Sequence, residues 1–190
     1  TYGSADMLVV RHIIEHATDA NRFIRSLKGL LAPKGYVMFE LPDSERIFSM
    51  GSHAFIWEEH ISYFTETTID LLAGAVGAER VWLKRYCYPY EDSLIVVLQF
   101  TTTGDKPNPG SILGDPEASA RKLAGFAAKL DTSRVKWRKK LEAIHAKGQK
   151  IAVFGAGHLA AKFVNYYGLA DLIDCVVDDH AILVNNATLG

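Results

Sequence analysis

Residues 55–64 read FIWEEHISYF, so Glu58, Glu59 and His60 stand inside an aromatic run. Aromatic side chains favour burial, whereas carboxylates and imidazoles resist it unless they are paired or used chemically. An unperturbed imidazole titrates near pH 6.5, which suits a general base at neutral pH. An adjacent carboxylate can raise its basicity or hold its tautomer. On a strand Glu59 and His60 would point to opposite faces, but on a loop they can converge. The plainer alternative is a surface loop whose charges are solvated while Phe55, Trp57, Tyr63 and Phe64 pack inward.

Two further stretches carry chemistry. HIIEH, residues 12–16, fits the H-x-x-E-H spacing of zinc peptidases, in which two histidines four apart share a helix face. Here the stretch directly follows a strand and no third ligand is evident, so no metal is assigned. Open α/β sheets place their ligands at the carboxyl ends of strands, which gives His16 a substrate-contact or auxiliary role without a metal. VFGAGHLAA sets Gly155, Gly157 and Ala160 in G-x-G-x-x-A spacing between a strand and a helix, and Asp178 ends the next strand. This is the dinucleotide fingerprint in its proper context. Its glycines permit a tight turn and the approach of a phosphate to a helix N-terminus. Rossmann-like domains that bind no dinucleotide keep such turns for packing, so both readings stay open.

These residues must be positioned by an α/β frame. Met7–Val10 form an apolar run expected to be a buried parallel strand. The spacing of Phe23, Leu27, Leu30 and Leu31 predicts a helix from about Asn21, capped by Asp19 and stopped at Pro33-Lys34-Gly35. Tyr36–Leu41 is the next strand, and Pro42-Asp43 opens a long loop. Strand, helix and strand at this spacing form a right-handed βαβ unit. Thr65 caps a helix to about Val76, with Gly77 as its stop. Residues 79–88 and 93–101 predict an antiparallel pair. A Gly-, Pro- and Asp-rich linker follows at 102–115. A long helix from about Pro116 to Lys147 carries Leu123, Phe126, Leu130, Trp137, Leu141 and Ile144 on one stripe, which can pair within the chain or between chains. Residues 150–154, the glycine turn, a helix and Ile173–Asp178 begin a second βαβ unit.

The fold class is therefore α/β: a partial Rossmann-like sheet over residues 1–101 that ends in an antiparallel pair, then the linker, then the long helix and an incomplete second Rossmann-like domain over 116–190. The chain has 190 residues, 48% hydrophobic and 23% charged, with a formal net charge of −1, so a core can form and nothing favours a nucleic-acid or membrane surface. Two cysteines, Cys87 and Cys175, lie in unrelated stretches, which argues against a disulfide framework or thiolate metal site and points to a reducing cytoplasm. There is no run of apolar residues long enough to span a membrane, and TYGSAD does not read as a signal peptide.

With strand, E-H, aspartate, a helix ending L-x-P-x-G and a strand ending in proline, RHIIEHATDANRFIRSLKGLLAPKGYVMFELPD resembles the C-terminal half of a class I S-adenosylmethionine-dependent methyltransferase. WEEHISYFT, the β pair, the long helix and KIAVFGAGHLAAKFVNYYGL narrow the likeness to the nucleotide-sugar C-methyltransferases, from Asp6 to Asp179. That resemblance implies a catalytic pair at Glu59 and His60. The histidine would remove a proton from the carbon beside a sugar ketone, with Glu59 orienting it and His16 assisting. The enolate would then attack the methyl group of S-adenosylmethionine, the implied cofactor. Substrate contacts would come from Trp57, Tyr63, Gly155, Gly157 and His158.

The chain departs from the family pattern in places. Trp57 stands where relatives often have a tyrosine, and Glu91-Asp92 stands where they often have Gly-Gly. HAILVNNATLG replaces a K-Q-G and P-G stretch. The family's glycine-rich cofactor loop and cysteine-rich zinc module belong to a preceding part, so the chain alone is expected to be inactive and its parent active. The expected partner is a small molecule, a nucleotide sugar. The rival reading is a non-catalytic nucleotide-binding or assembly module centred on Gly155–Gly157.

Overall fold

A computed structural model describes residues 3–89, 91–101 and 115–179. The described residues form two compact units. One takes residues up to Met50 and Glu58–Lys122; the other takes Gly51–Trp57 and the chain from Leu123 onward. Except for Asp115, the expected linker at 102–115 lies outside the described residues, as do Tyr90 and the closing HAILVNNATLG.

The first unit is built on a four-stranded sheet. Its strands are β1 (Ala5–Arg11), β2 (Leu31–Asp43), β3 (Ala78–Tyr86) and β4 (Asp92–Phe100), in the order β1-β2-β4-β3. β1 and β2 are parallel, β4 runs antiparallel to both its neighbours, and the β3–β4 pair is the one the sequence predicts. Alternate residues of the two central strands face the core. Val37 pairs with Leu98, Phe39 with Val96 and Leu41 with Leu94, and all six are buried. Helices α1 (Ala20–Lys28) and α3 (Glu66–Ala75) contribute Ile24, Leu27, Ile69 and Ala73 to the same core.

Four local expectations need correction. β1 is parallel as expected but not buried: Met7 is 49% and Val9 56% exposed, because β1 lies at the edge of this sheet. Asp19 does cap α1, accepting from the Arg22 N–H at 2.9 Å, but the helix ends at Lys28. Leu31 has gone into β2, Leu30 is exposed, and Ile24 is the buried residue that the stripe omitted. β2 also begins earlier than expected, running through Pro33 to Gly35. A Cβ on Gly35 would lie 3.0 Å from the Ala32 carbonyl and 3.1 Å from those of Ala5 and Asp6, so the crossing of strand and bulge requires glycine here.

At its other end β2 continues through Pro42 and Asp43. Its pairing with β1 stops at Arg11↔Glu40, so the proline sits where the strand has only β4 beside it. Asp43 is buried against Arg85 and accepts from the Glu45 N–H at 3.0 Å. That acceptance starts a short helix, α2 (Ser44–Met50), within the expected loop. α3 is capped as predicted by Thr65, whose side chain accepts from the Thr68 N–H while Thr68 Oγ1 accepts from the Thr65 N–H.

Helix α4 (Pro116–His145) enters the second unit after Lys122. Leu141 is buried in the second core with Leu130, Trp137 and Ile144 packed on it, and Phe126 is buried too, but Leu123 is 50% exposed and does not belong to the stripe. The 3-10 turn His53–Phe55 belongs to this unit. His53 is buried and stacked on Phe126, with Nε2–H donating to its carbonyl at 2.8 Å. Strands β5 (Ala152–Phe154) and β6 (Cys175–Val177) are parallel and flank helix α5 (His158–Tyr167), the second βαβ start the sequence predicts.

Asp174 closes the entry to β5. Its Oδ2 accepts from the Ile151 N–H at 2.7 Å and lies 3.2 Å from His145 Nε2. The backbone donor, then the imidazole, hold its carboxyl below the usual aspartate range. A depressed folded value means that the stabilisation is present above the ordinary aspartate value and is lost as pH falls through the folded one. Asp174→Asn is therefore expected to lower the thermal midpoint at neutral pH, with the difference from the parent chain vanishing in acid. Thermal melts followed by circular dichroism across pH would check this.

Candidate active site

In the first unit the sequence-predicted histidines meet at the carboxyl end of β1. The strand gives way at His12, whose φ of +49° turns the chain out of the sheet. Histidine enters this left-handed region more readily than most residues. A 3-10 turn, Ile14–His16, follows, anchored by the wholly buried Ile14. The Glu15 carbonyl accepts from the N–H groups of Ile61 at 2.8 Å and Ser62 at 3.1 Å, pinning the far loop beside it. This backbone clasp brings His60 to His16. Their ring centroids are 4.9 Å apart and the rings cross edge to face. Tyr63 joins them, its ring 6.0 Å from that of His60 and 6.2 Å from that of Phe48.

His16 Nδ1 lies 2.9 Å from the Glu59 carbonyl oxygen. A carbonyl can only accept, so Nδ1 carries the proton and, in the neutral ring, Nε2 keeps the lone pair. Glu59 thus reaches the histidines through its backbone, and its side chain is exposed. The carboxylate that lies among the imidazoles is Glu15, 1% exposed. One ligand atom each from Glu15, His16 and His60 lie within 4.8 Å of one another.

Beyond Glu15 an ionic group lines the strand ends. His12 Nδ1 is 3.4 Å from Glu15 Oε1, and His12 Nε2 is 3.6 Å from Glu40 Oε1. Arg11 Nε donates to Glu40 Oε2 at 2.5 Å, which lowers the Glu40 carboxyl. Glu91 faces the same group. Burial chiefly raises its carboxyl, with the charge of His12 opposing and that of Glu15 adding. Sequence reasoning read Glu15 as part of a zinc pattern and of the E-H motif but gave it no role, and it did not place Glu91 at the site. The H-x-x-E-H pair itself is not formed as an i,i+4 helical pair, because His12 ends a strand and only a 3-10 turn follows.

The second unit gathers its own group. The Trp57 and His158 rings are 5.7 Å apart, and Lys162 Nζ sits 4.1 Å from the centre of the Trp57 ring. The Lys162 residue is 6% exposed, so its ammonium is held against the indole face away from water. Lys162 was not singled out from the sequence. Its one signal is position: it stands one helical turn after His158, on the same face of α5.

Gly155, at φ +96°, makes the turn that only glycine adopts freely, and its N–H donates to the Val177 carbonyl at 2.7 Å. The Ala156 N–H donates to Asp178 Oδ2 at 2.6 Å. Gly157 caps α5 in an extended conformation, with open space where a Cβ would stand. In a dinucleotide site the acidic residue receives ribose hydroxyls. Here Asp178 ties down the turn itself.

Comparison with known proteins gives two matches. Residues 2–82 match the family model of a methyltransferase domain, and residues 117–190 match that of a C-methyltransferase C-terminal domain. Both segments of the chain are thus similar to parts of methyltransferases. Among solved structures, the chain is similar to LepI in complex with SAM at 15% identity and a TM-score of 0.42, covering 52% of the present chain and 27% of LepI. It is also similar to magnesium protoporphyrin IX methyltransferase from Synechocystis PCC 6803 with bound SAH, at 13% identity and a TM-score of 0.41, covering 53% of the present chain and 47% of that one. The chain thus spans less than half the length of these two structures. No curated protein matches it. Among its described residues, no helix is long and apolar enough to cross a membrane.

Proposed function

We propose that the parent protein transfers a methyl group from S-adenosylmethionine to a carbon of a small ketone-bearing substrate, a nucleotide sugar, in the cytoplasm. The observation that carries this reading is the His16–His60 pair at the carboxyl end of β1, with the His16 tautomer set by the Glu59 carbonyl. A carbon acid needs a base placed within hydrogen-bond reach of its proton. His60 is assigned that role and takes the proton from the carbon beside the ketone. His16, with Nε2 as its open position, is the substrate-contact or auxiliary group. Glu59 acts as the orienting residue, through its carbonyl to His16, and Tyr63 borders the reacting carbon.

S-adenosylmethionine supplies an electrophilic methyl group when bound. β1 runs into His12–His16 rather than into a glycine-rich loop, so this chain's residues are assigned to the substrate and none to the methyl donor. The proposed domains are the C-terminal half of a methyltransferase domain over 1–101, a linker over 102–115, and a long helix with an incomplete Rossmann-like domain over 116–190. In the second unit, Gly155, Gly157, His158 and Trp57 are assigned to substrate contact. The alternative, a dinucleotide-binding module centred on that turn, is weakened by the engagement of Asp178 with the Ala156 N–H.

The test is product chemistry. The full-length protein is given carbon-13-labelled methyl donor with nucleotide-linked ketosugars, and with phenols and amines as competing classes. A methyl resonance on carbon of a ketosugar is expected; methyl groups found only on oxygen or nitrogen would defeat the proposal.

A further inference from the structure

The Glu15 carboxylate is almost wholly buried, and neither of its oxygens accepts a hydrogen bond from the protein. A buried carboxylate without donors is costly unless a cation meets it. His12 Nδ1 lies 3.4 Å from Glu15 Oε1 without a hydrogen bond to it, and the His12 side chain is half-exposed. Glu91, facing the same ground, adds negative charge rather than relief. A cation is therefore wanted at Glu15, and the two imidazoles beside it are nitrogen donors.

We propose that Glu15, His16 and His60 form a binding site for a divalent transition-metal ion of the zinc class. The donor set, two imidazoles and one carboxylate with room for further ligands, is the open arrangement that such ions accept. His16 is prepared for it: its Nδ1–H is committed to the Glu59 carbonyl, as the second ring nitrogen of a metal-bound histidine commonly is, which leaves Nε2 to ligate. The Glu15 carbonyl holds Ile61 and Ser62, so the backbone that carries His60 is already tied to the backbone that carries the carboxylate.

The three ligand atoms lie within 4.8 Å of one another, whereas tetrahedral zinc with bonds of about 2.0–2.1 Å draws its ligands to about 3.4 Å apart. Side-chain rotation of His60, on a half-buried loop, supplies the difference. Magnesium and calcium prefer all-oxygen sites and are disfavoured here. Metal ligation and proton abstraction would use the same imidazole of His60, so an occupied site would be shut to base catalysis. Any such block rests on the proposed role of His60 as base; the metal site itself does not.

The experiment is calorimetric titration of the chelator-treated chain with zinc chloride, with magnesium chloride as the oxygen-preferring control. One zinc ion per chain is expected, with magnesium giving no saturable heat. Glu15→Gln and His60→Ala should each weaken zinc binding at least tenfold, with circular dichroism showing that each is folded. If Glu15→Gln does not fold, His60→Ala decides alone, because His60 lies on the loop and outside the core cluster. No saturable zinc binding, or zinc binding that His60→Ala leaves unchanged, overturns the proposal. Neither result bears on methyl transfer, which the product chemistry above tests separately.

Discussion

Replacing His60 with asparagine in the full-length protein is expected to slow proton abstraction from the substrate carbon by about 10²–10⁴-fold, or about 3–5 kcal/mol in the barrier. Asparagine keeps a polar side chain of similar reach but has no nitrogen that can take a proton at neutral pH. The loop itself should not collapse, because the Ile61 and Ser62 N–H groups hold it to the Glu15 carbonyl. The measurement is wash-in of solvent deuterium at the carbon beside the ketone, followed by NMR, which reads the proton step apart from methyl transfer. His16→Asn should cost less, since it leaves the base in place and removes a contact. Exchange that persists in the His60 variant at the parent rate would remove His60 as base.

Truncating Ile14 to alanine is expected to destabilise the first unit by about 2–5 kcal/mol. Ile14 is fully buried in the main core with Ile24, Phe39 and Ile69. Its removal leaves a cavity whose cost depends on how far the surroundings collapse. Ile14 also starts the 3-10 turn that presents Glu15 and His16, so the site depends on the same side chain. Urea unfolding should show a lower midpoint at an unchanged slope. A variant within about 0.5 kcal/mol of the parent, the range of ordinary surface substitutions, would show that the turn is not anchored in the core.

Much of the frame was legible in the sequence. Asp19 and Thr65 announced their helices because a capping side chain acts on N–H groups two or three residues away. The β3–β4 pair and the β5-α5-β6 order were readable because alternation and glycine turns are local signals. Boundaries failed where a tertiary partner took a residue from its local pattern. Leu31 fits the α1 stripe but pairs with Ala5, and Pro42 reads as a stop but stays beside β4. Met7 and Val9 read as buried, yet burial belongs to neighbours that a strand's own residues do not specify.

The candidate site divides the same way. Residue type made every histidine a candidate proton carrier, and it was the resemblance of the surrounding motifs that pointed to His60 and His16 among the seven. Type and order also marked the glycine turn at 155–157, since a positive φ at Gly155 is a property of one residue. Which carboxylate stands among the imidazoles was decided only by the fold. Adjacency in sequence pointed to Glu59, but it is Glu15, forty-five positions from His60, whose oxygens are buried there, while Glu59 offers its carbonyl. Neighbours along a chain share a backbone and not necessarily a direction; side chains converge only when hydrogen bonds between distant segments, here from Ile61 and Ser62 to Glu15, close the loop that brings them together.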